Sequence, residues 1–283
     1  MTTAEVLLID QPAAGVRRLT MNRPEKRNAL NNALRGAIFQ ALQDADTDPE
    51  VRVSIIRGAG PSFCAGYDLS ADNAEGQPYY TAGGTLPWSR HVVEGWFRMW
   101  DLAKPVIAQV HGYCLAGGSE LATACDLVYV AEDAKIGYPP TRSMSPPDMQ
   151  FHPWLLGMRR AMEMYLTGDA ISGAEAARDG FANRAFPAGE LDAEVLKVAE
   201  RVALVPPDLQ QINKRSVHRA MEIMGMRDAL RAGTELQALA FTTESSLAYR
   251  RQFKRDGGSV RDLLSQRDAP FRDYREGSDT PAG

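Results

Sequence analysis

The sequence predicts an α/β fold, a mainly parallel sheet with helical crossovers followed by a region that is helical throughout. Three observations carry this. Short apolar runs alternate with amphipathic stretches from Val6 to Ala131. Two of those runs lead into glycine-bearing turns that open onto new segments. Beyond Glu190 the apolar spacing becomes that of a helix and stays so.

The elements follow in order. Val6–Ile9 and Val16–Met21 read as strands separated by a Pro/Gly turn. Asn31–Ala45 carries Leu34, Ile38, Phe39 and Leu42 at helical spacing. Val51–Arg57 reads as a buried strand ending at Gly58. Residues 71–88, polar and rich in Gly and Pro, are expected to form a mobile loop. His91–Leu102 reads as a helix, Pro105–Val110 as a strand, Gly117–Cys125 as a helix and Leu127–Ala131 as a strand. Strand and helix alternating in this way imply parallel pairing with crossovers. Ser172-Gly-Ala-Glu175 fits a capping box opening a helix. Glu190–Gln266 is helical in pattern, broken at Pro206-Pro207 and Gly257-Gly258, and such a tail packs on the core or on another subunit. Residues 276–283, EGSDTPAG, are expected to be a disordered tail.

Composition bounds the function. The chain has 283 residues, 44% of them hydrophobic, enough for a full globular core. The net charge of -4 argues against general nucleic-acid binding, which leaves a basic footprint. Cys64, Cys114 and Cys125 have no metal-ligand spacing and read as free thiols of a reducing compartment. With no signal-peptide pattern and no membrane-length apolar run, a cytoplasmic protein is expected.

Two glycine-bearing turns are the chemically suggestive features. One is Pro61-Ser-Phe-Cys-Ala-Gly-Tyr-Asp-Leu69, after the strand Val51–Arg57. The other is His111-Gly-Tyr-Cys-Leu-Ala-Gly-Gly-Ser-Glu-Leu121, after the strand Pro105–Val110. The first N–H groups of a helix lack internal partners and favour negative charge. Two such turns side by side can aim two donors at one oxygen, the geometry of an oxyanion hole. Taken singly, either turn is more often a structural feature of a βαβ fold.

Five ordered blocks resemble the crotonase (enoyl-CoA hydratase/isomerase) superfamily. They are Asn22-Arg-Pro-Glu-Lys-Arg-Asn-Ala-Leu-Asn31, Ser62–Leu69, Lys104–Gly112 with Ala116–Glu120, Leu166-Thr-Gly-Asp169 with Ala176, Ala177 and Gly180, and Arg267-Asp-Ala-Pro-Phe271. The resemblance implies a spiral of ββα units over residues 1–190 that holds an acyl-CoA site. It implies a helical trimerisation region over 191–275, giving a homotrimer or a dimer of trimers. It also implies an acyl-CoA thioester as substrate and no cofactor beyond its coenzyme A moiety. Neither nucleic acid nor membrane is expected as a partner.

By the same resemblance the N–H groups of Tyr67 and Gly117 hold the thioester carbonyl, and Glu120 is a catalytic acid or base. Lys26 and Arg27 are implied phosphate contacts, alongside Ala29. The turn of Ala65, Gly66, Asp68 and Leu69 is expected near the adenine. Taken without the family, Glu120 reads as a solvated glutamate at a helix N-terminus, and Lys26 and Arg27 are equally solvated side chains.

One departure puts ordinary hydration in question. Hydratases of the family carry a second glutamate in a Pro-Glu pair, where this chain reads Ile136-Gly-Tyr-Pro-Pro140. Pro140 has no proton to exchange. The stretch Thr141–Asp148 also lacks the family's glycine-rich turn. Asp148, Tyr79 or Tyr80 are candidates for the missing acid, although Asp148 also reads as a helix N-cap. His152, four residues on, could share a helix face with Asp148, but it reads rather as a surface or packed histidine. Hydratase is the expected activity. An isomerase, decarboxylase or ring-opening hydrolase using one carboxylate, or a non-catalytic acyl-CoA binder, are the alternatives.

Overall fold

The computed structural model describes residues 5–71, 73, 75–81, 87–144, 146–255 and 259–271. The expected tail 276–283 and the Gly257-Gly258 break lie outside the described residues, as does part of the 71–88 segment. Six strands form the main sheet: β1 (Leu7–Ala13), β2 (Val16–Met21), β3 (Val53–Gly58), β4 (Val106–Val110), β6 (Leu127–Ala131) and β9 (Arg184–Phe186). Their order is β1-β2-β3-β4-β6-β9. β1 and β2 form an antiparallel hairpin, and every other pair is parallel. All five residues of β4 are buried, the pattern of a parallel strand covered on both faces.

Three short strands make a second sheet in the order β5-β7-β8: β5 (Tyr113–Leu115), β7 (Lys135–Gly137) and β8 (Ile171–Ser172). None of them, nor β9, was legible in the sequence pattern, since two or three residues carry no periodicity.

Ten helices surround the sheets among the described residues. α1 (Asn32–Thr47) opens on Asn31, whose side chain accepts the Leu34 N–H at 2.9 Å. α2 (Pro87–Trp100) begins before the expected His91, so residues 87 and 88 are helix and not loop. α3 (Gly117–Thr123) is buried at every position. α4 (His152–Thr167) is followed by α5 (Gly173–Asp179), which carries the capping box of Ser172 and Glu175.

The all-helical remainder is α6 (Leu191–Ala203), α7 (Pro207–Ile223), α8 (Met226–Ala240), α9 (Glu244–Arg255) and α10 (Val260–Asp268). Pro206-Pro207 marks a break as expected. Gly225, in the left-handed conformation, and residues 241–243 add two breaks that the sequence reading missed. α6 lays Leu191, Val195 and Ala199 on the main sheet, and α8 packs against α2. No helix among the described residues is long and apolar enough to cross a membrane.

Candidate functional site

The two glycine turns lie side by side because the first runs as a strand-like segment along β5. The Cys64 N–H donates to Tyr113 O at 2.9 Å, and the Leu115 N–H donates to Cys64 O at 3.0 Å. On its other side the same segment pairs with the Asn22–Asn31 block: Leu30 N–H donates to Gly66 O and Asp68 N–H to Leu30 O. Gly66 has φ 109°, a conformation that only glycine adopts freely. A Cβ there would stand 2.9 Å from the Ala116 Cβ and 3.5 Å from the Gly117 nitrogen. Ala116, the residue before α3, holds φ 51° and ψ -124°, an uncommon backbone for a residue with a side chain. Among the described residues neither the Tyr67 nor the Gly117 amide donates to a protein acceptor.

Glu120 lies on the first turn of α3 and is completely buried. It is therefore not the solvated helix-end glutamate that the sequence left open. Its Oε2 accepts the Tyr67 hydroxyl at 2.8 Å, and its Oε1 accepts the Asp148 N–H at 3.0 Å. Tyr138 and Trp96 also approach the carboxylate closely enough to favour its charged form. Burial outweighs these donors and holds the Glu120 carboxyl above the usual carboxylate range.

Asp148 is buried beside it, and its Oδ1 has no hydrogen-bond partner among the described residues. Burial and then the neighbouring Glu120 charge push its carboxyl well up, against a weaker opposing effect of Arg35. Donors favour ionised Glu120, while no donor reaches the Asp148 Oδ1. The surroundings thus favour the charged form more at Glu120 than at Asp148.

This settles several open readings. α4 begins at His152 with Phe151 as its N-cap, so Asp148 is not a helix cap. Asp148 and His152 do not share a helix face either. His152 is buried between the Ser119 hydroxyl at 3.1 Å and the Tyr165 hydroxyl at 2.9 Å, and burial lowers its pKa to about 4. Pro140 sits in a 3-10 turn, Pro139–Arg142. Tyr80 is 86% exposed, and the Tyr79 hydroxyl is engaged by Arg35 and the His91 carbonyl, so neither tyrosine reaches Glu120. Cys64 and Cys114 are fully buried, and burial pushes the Cys64 thiol up to about 12. Among the described residues no group of three or more His, Cys, Asp or Glu side chains could hold a metal ion.

The other nominated residues border the first turn. Lys26 and Arg27 are exposed, Lys26 Nζ lying 3.5 Å from Ser70 Oγ and Arg27 lying over the Tyr113 ring at 4.9 Å. The Ala29 carbonyl accepts from the Arg23 guanidinium, and the Ala65 N–H donates to Arg27 O at 3.0 Å. The Asp68 carboxylate is held by Arg23 at 2.8 Å and by Ser70, so it shapes the turn from within. Leu69 is exposed beside it.

Two buried or part-buried polar side chains at or near the pair escaped the sequence reading. One is the Tyr67 hydroxyl, since only its backbone had been nominated. The other is Arg35, whose side chain is buried in α1. Its signal was present, because a charged residue interrupts the buried stripe of Leu34, Ile38 and Leu42.

The sequence profile of the enoyl-CoA hydratase/isomerase family matches residues 11–255. The chain is 35% identical over 231 residues to a Mycobacterium tuberculosis protein named as enoyl-CoA hydratase EchA13, covering 75% of this chain and 73% of that one. It is 34% identical over 227 residues to the 2,3-dehydroadipyl-CoA hydratase of Escherichia coli, covering 79% and 84%. An enoyl-CoA hydratase/isomerase from Xanthobacter autotrophicus Py2 superposes with a TM-score of 0.85 at 34% identity, over 96% of this chain and all of that one.

Proposed function

The chain belongs to the enoyl-CoA hydratase/isomerase family, and from that premise we propose that it adds water across the double bond of a 2-enoyl-CoA thioester. The observation that carries the reading is the buried pair of Glu120 and Asp148, tied by the hydrogen bond from the Asp148 N–H to Glu120. Pro140 removes the family's second carboxyl, and Asp148 brings another one to the same partner.

In this reading the thioester oxygen accepts the Tyr67 and Gly117 amides, which stabilise the enolate as negative charge reaches it. Ionised Glu120 takes a proton from water while the water oxygen bonds to Cβ. The π electrons move toward the carbonyl, and neutral Asp148 then protonates Cα as the enolate collapses. Glu120 is left protonated and Asp148 ionised, so one proton must pass back between them before the next turnover. The Tyr67 hydroxyl orients Glu120. Exposed Lys26 and Arg27 are assigned to the coenzyme A phosphates, and Ala29, Ala65, Gly66 and Leu69 to the nucleotide wall. The reaction so written needs no resident cofactor, and it is assigned to the cytoplasm on the three free, buried thiols.

The assembly assigned is a homotrimer or a dimer of trimers. Exposed apolar side chains on the late helices, such as Ile212, Val217, Ile223 and Leu239, support it. The deciding assay is loss of the enoyl absorbance of trans-2-enoyl-CoAs of several lengths. Hydration is expected. Turnover only of 3-enoyl-CoAs makes the enzyme an isomerase, and binding without turnover of either makes it a non-catalytic acyl-CoA binder.

A further inference from the structure

A buried guanidinium without a counter-ion is costly, because removal of a charge from water costs several kcal/mol unless a partner charge replaces the solvent. Among the described residues Arg35 is in that position. It is 1% exposed. Its acceptors are the Tyr79 hydroxyl at 3.0 Å, the Asn32 Oδ1 at 3.1 Å and the Gln77 Oε1 at 3.5 Å, all neutral. Its Nε has no partner, and none of its hydrogen-bond acceptors is a carboxylate, among the described residues. The fork that normally receives a planar anion is therefore only partly used.

Its position ties it to the Glu120–Asp148 pair by two routes. The Arg35 Cζ lies 5.1 Å from the Trp88 ring centre, Trp88 meets the Tyr67 ring edge-on at 5.2 Å, and the Tyr67 hydroxyl rests on Glu120. On the other side Tyr79 meets Phe39 at 5.2 Å, Phe39 meets Trp96 at 5.7 Å, and Trp96 approaches Glu120. The same aromatic wall thus borders both the carboxyl pair and the cation. The wall is fitted to this purpose at Gly95, where a Cβ would stand 1.9 Å from the Tyr79 hydroxyl oxygen. Any larger residue at that position would push Tyr79 off Arg35.

Arg35 is also not the internal counter-ion of the carboxyl pair. It forms no ion pair with Asp148, and its influence there is outweighed by burial and by Glu120.

We infer that Arg35 is a specificity residue that receives an anionic group, a carboxylate, at the far end of the acyl chain, so that the preferred ligand is a dicarboxylyl-CoA thioester. This rests on reading the site as an acyl-CoA site. An incoming carboxylate supplies a countercharge that the described residues do not, and accepts the idle Nε–H, while the aromatic wall packs the methylenes between thioester and carboxylate.

The test separates binding from turnover. Saturated CoA thioesters, which cannot be hydrated, are titrated calorimetrically in pairs of equal length, one methyl-ended and one carboxyl-ended, from butanoyl and butanedioyl to octanoyl and octanedioyl. At the best-fitting length the carboxyl-ended member should bind about tenfold tighter or more, the scale of one charge-assisted bond in a dry site. Arg35→Met should bring the pair to within about threefold of each other, and Arg35→Lys should keep part of the preference. Gly95→Ala, which leaves the charge but displaces Tyr79, should lower the preference and guards against a failure of Arg35→Met to fold. Equal binding by the wild type at every length overturns the inference, as does a preference that survives in folded Arg35→Met. Failure of the hydration reading alone leaves this binding result intact, so the two are told apart.

Discussion

At the scale of the residue, the central fact is that one buried carboxyl is supplied with donors and the other is not. Tyr67 and the Asp148 N–H serve Glu120, while the Asp148 carboxyl faces burial and a neighbouring charge. Glu120→Gln keeps the shape but removes the proton acceptor, and turnover should fall by about 100-fold or more while thioester binding, measured by calorimetry, changes little. Unchanged turnover would sink the role of Glu120. Asp148 also makes a prediction in pH. Its folded pKa is raised, so the stability that it contributes is complete below the unfolded value of 3.8 and is lost as pH rises through the folded value. Within that window the folded chain holds a proton that the unfolded chain has released. Stability therefore declines by about 1.4 kcal/mol per pH unit from this group. Asp148→Asn should flatten that decline in denaturant unfolding between mildly acidic and neutral pH, and an identical slope in both proteins would contradict the neutral-acid assignment.

At the scale of the element, the site depends on two short turns held between neighbours. Gly117 has no room for a side chain, because a Cβ would lie 2.6 Å from the Tyr67 ring. Gly117→Val should displace that ring from Glu120 and obstruct the amides. Turnover is expected to drop at least about 100-fold, with the melting transition retained. Retained activity would remove this turn from the site. The capping box of α5 tests a purely structural part. Ser172→Ala removes the acceptor of the Glu175 N–H at 3.1 Å and should cost about 1 kcal/mol in unfolding free energy with kcat unaffected.

At the scale of the whole molecule, the helices after β9 do more than decorate the sheet. α6 completes a layer on it, and α8 reaches the site, where Thr234 Oγ1 donates to the Asp148 carbonyl at 3.3 Å. Other apolar side chains stay exposed, Leu204 and Ile223 at 82% and 79%, and on α4 Met158, Met162 and Leu166 recur at helical spacing. Sedimentation should find a trimer or a dimer of trimers, because that much apolar surface is unfavourable in water. A stable monomer at micromolar concentration would exclude the proposed assembly.

The sequence by itself determined the strands of the main sheet up to Ala131, the capped helices α1 and α5 and the two glycine turns. Each rests on local signals: apolar residues at strand or helix spacing, the Ser172–Glu175 capping box, and glycine where the backbone must turn. It also nominated Glu120, through the resemblance of the Ala116–Glu120 block to the family. Only the tertiary structure decided what these residues meet. Glu120 is buried because the first turn and the 138–148 segment close over it. Asp148 becomes its partner, not a cap, because α4 starts four residues later. Tyr67 contributes its hydroxyl because β5 holds the two turns together, and Arg35 is buried because α1 turns the charged member of its stripe inward. Local periodicity encodes which face of a segment is buried. It does not encode what lies opposite, which is set by chain segments 28 to 85 residues apart along the sequence, as Tyr67, Glu120 and Asp148 are and as Arg35 is from Glu120.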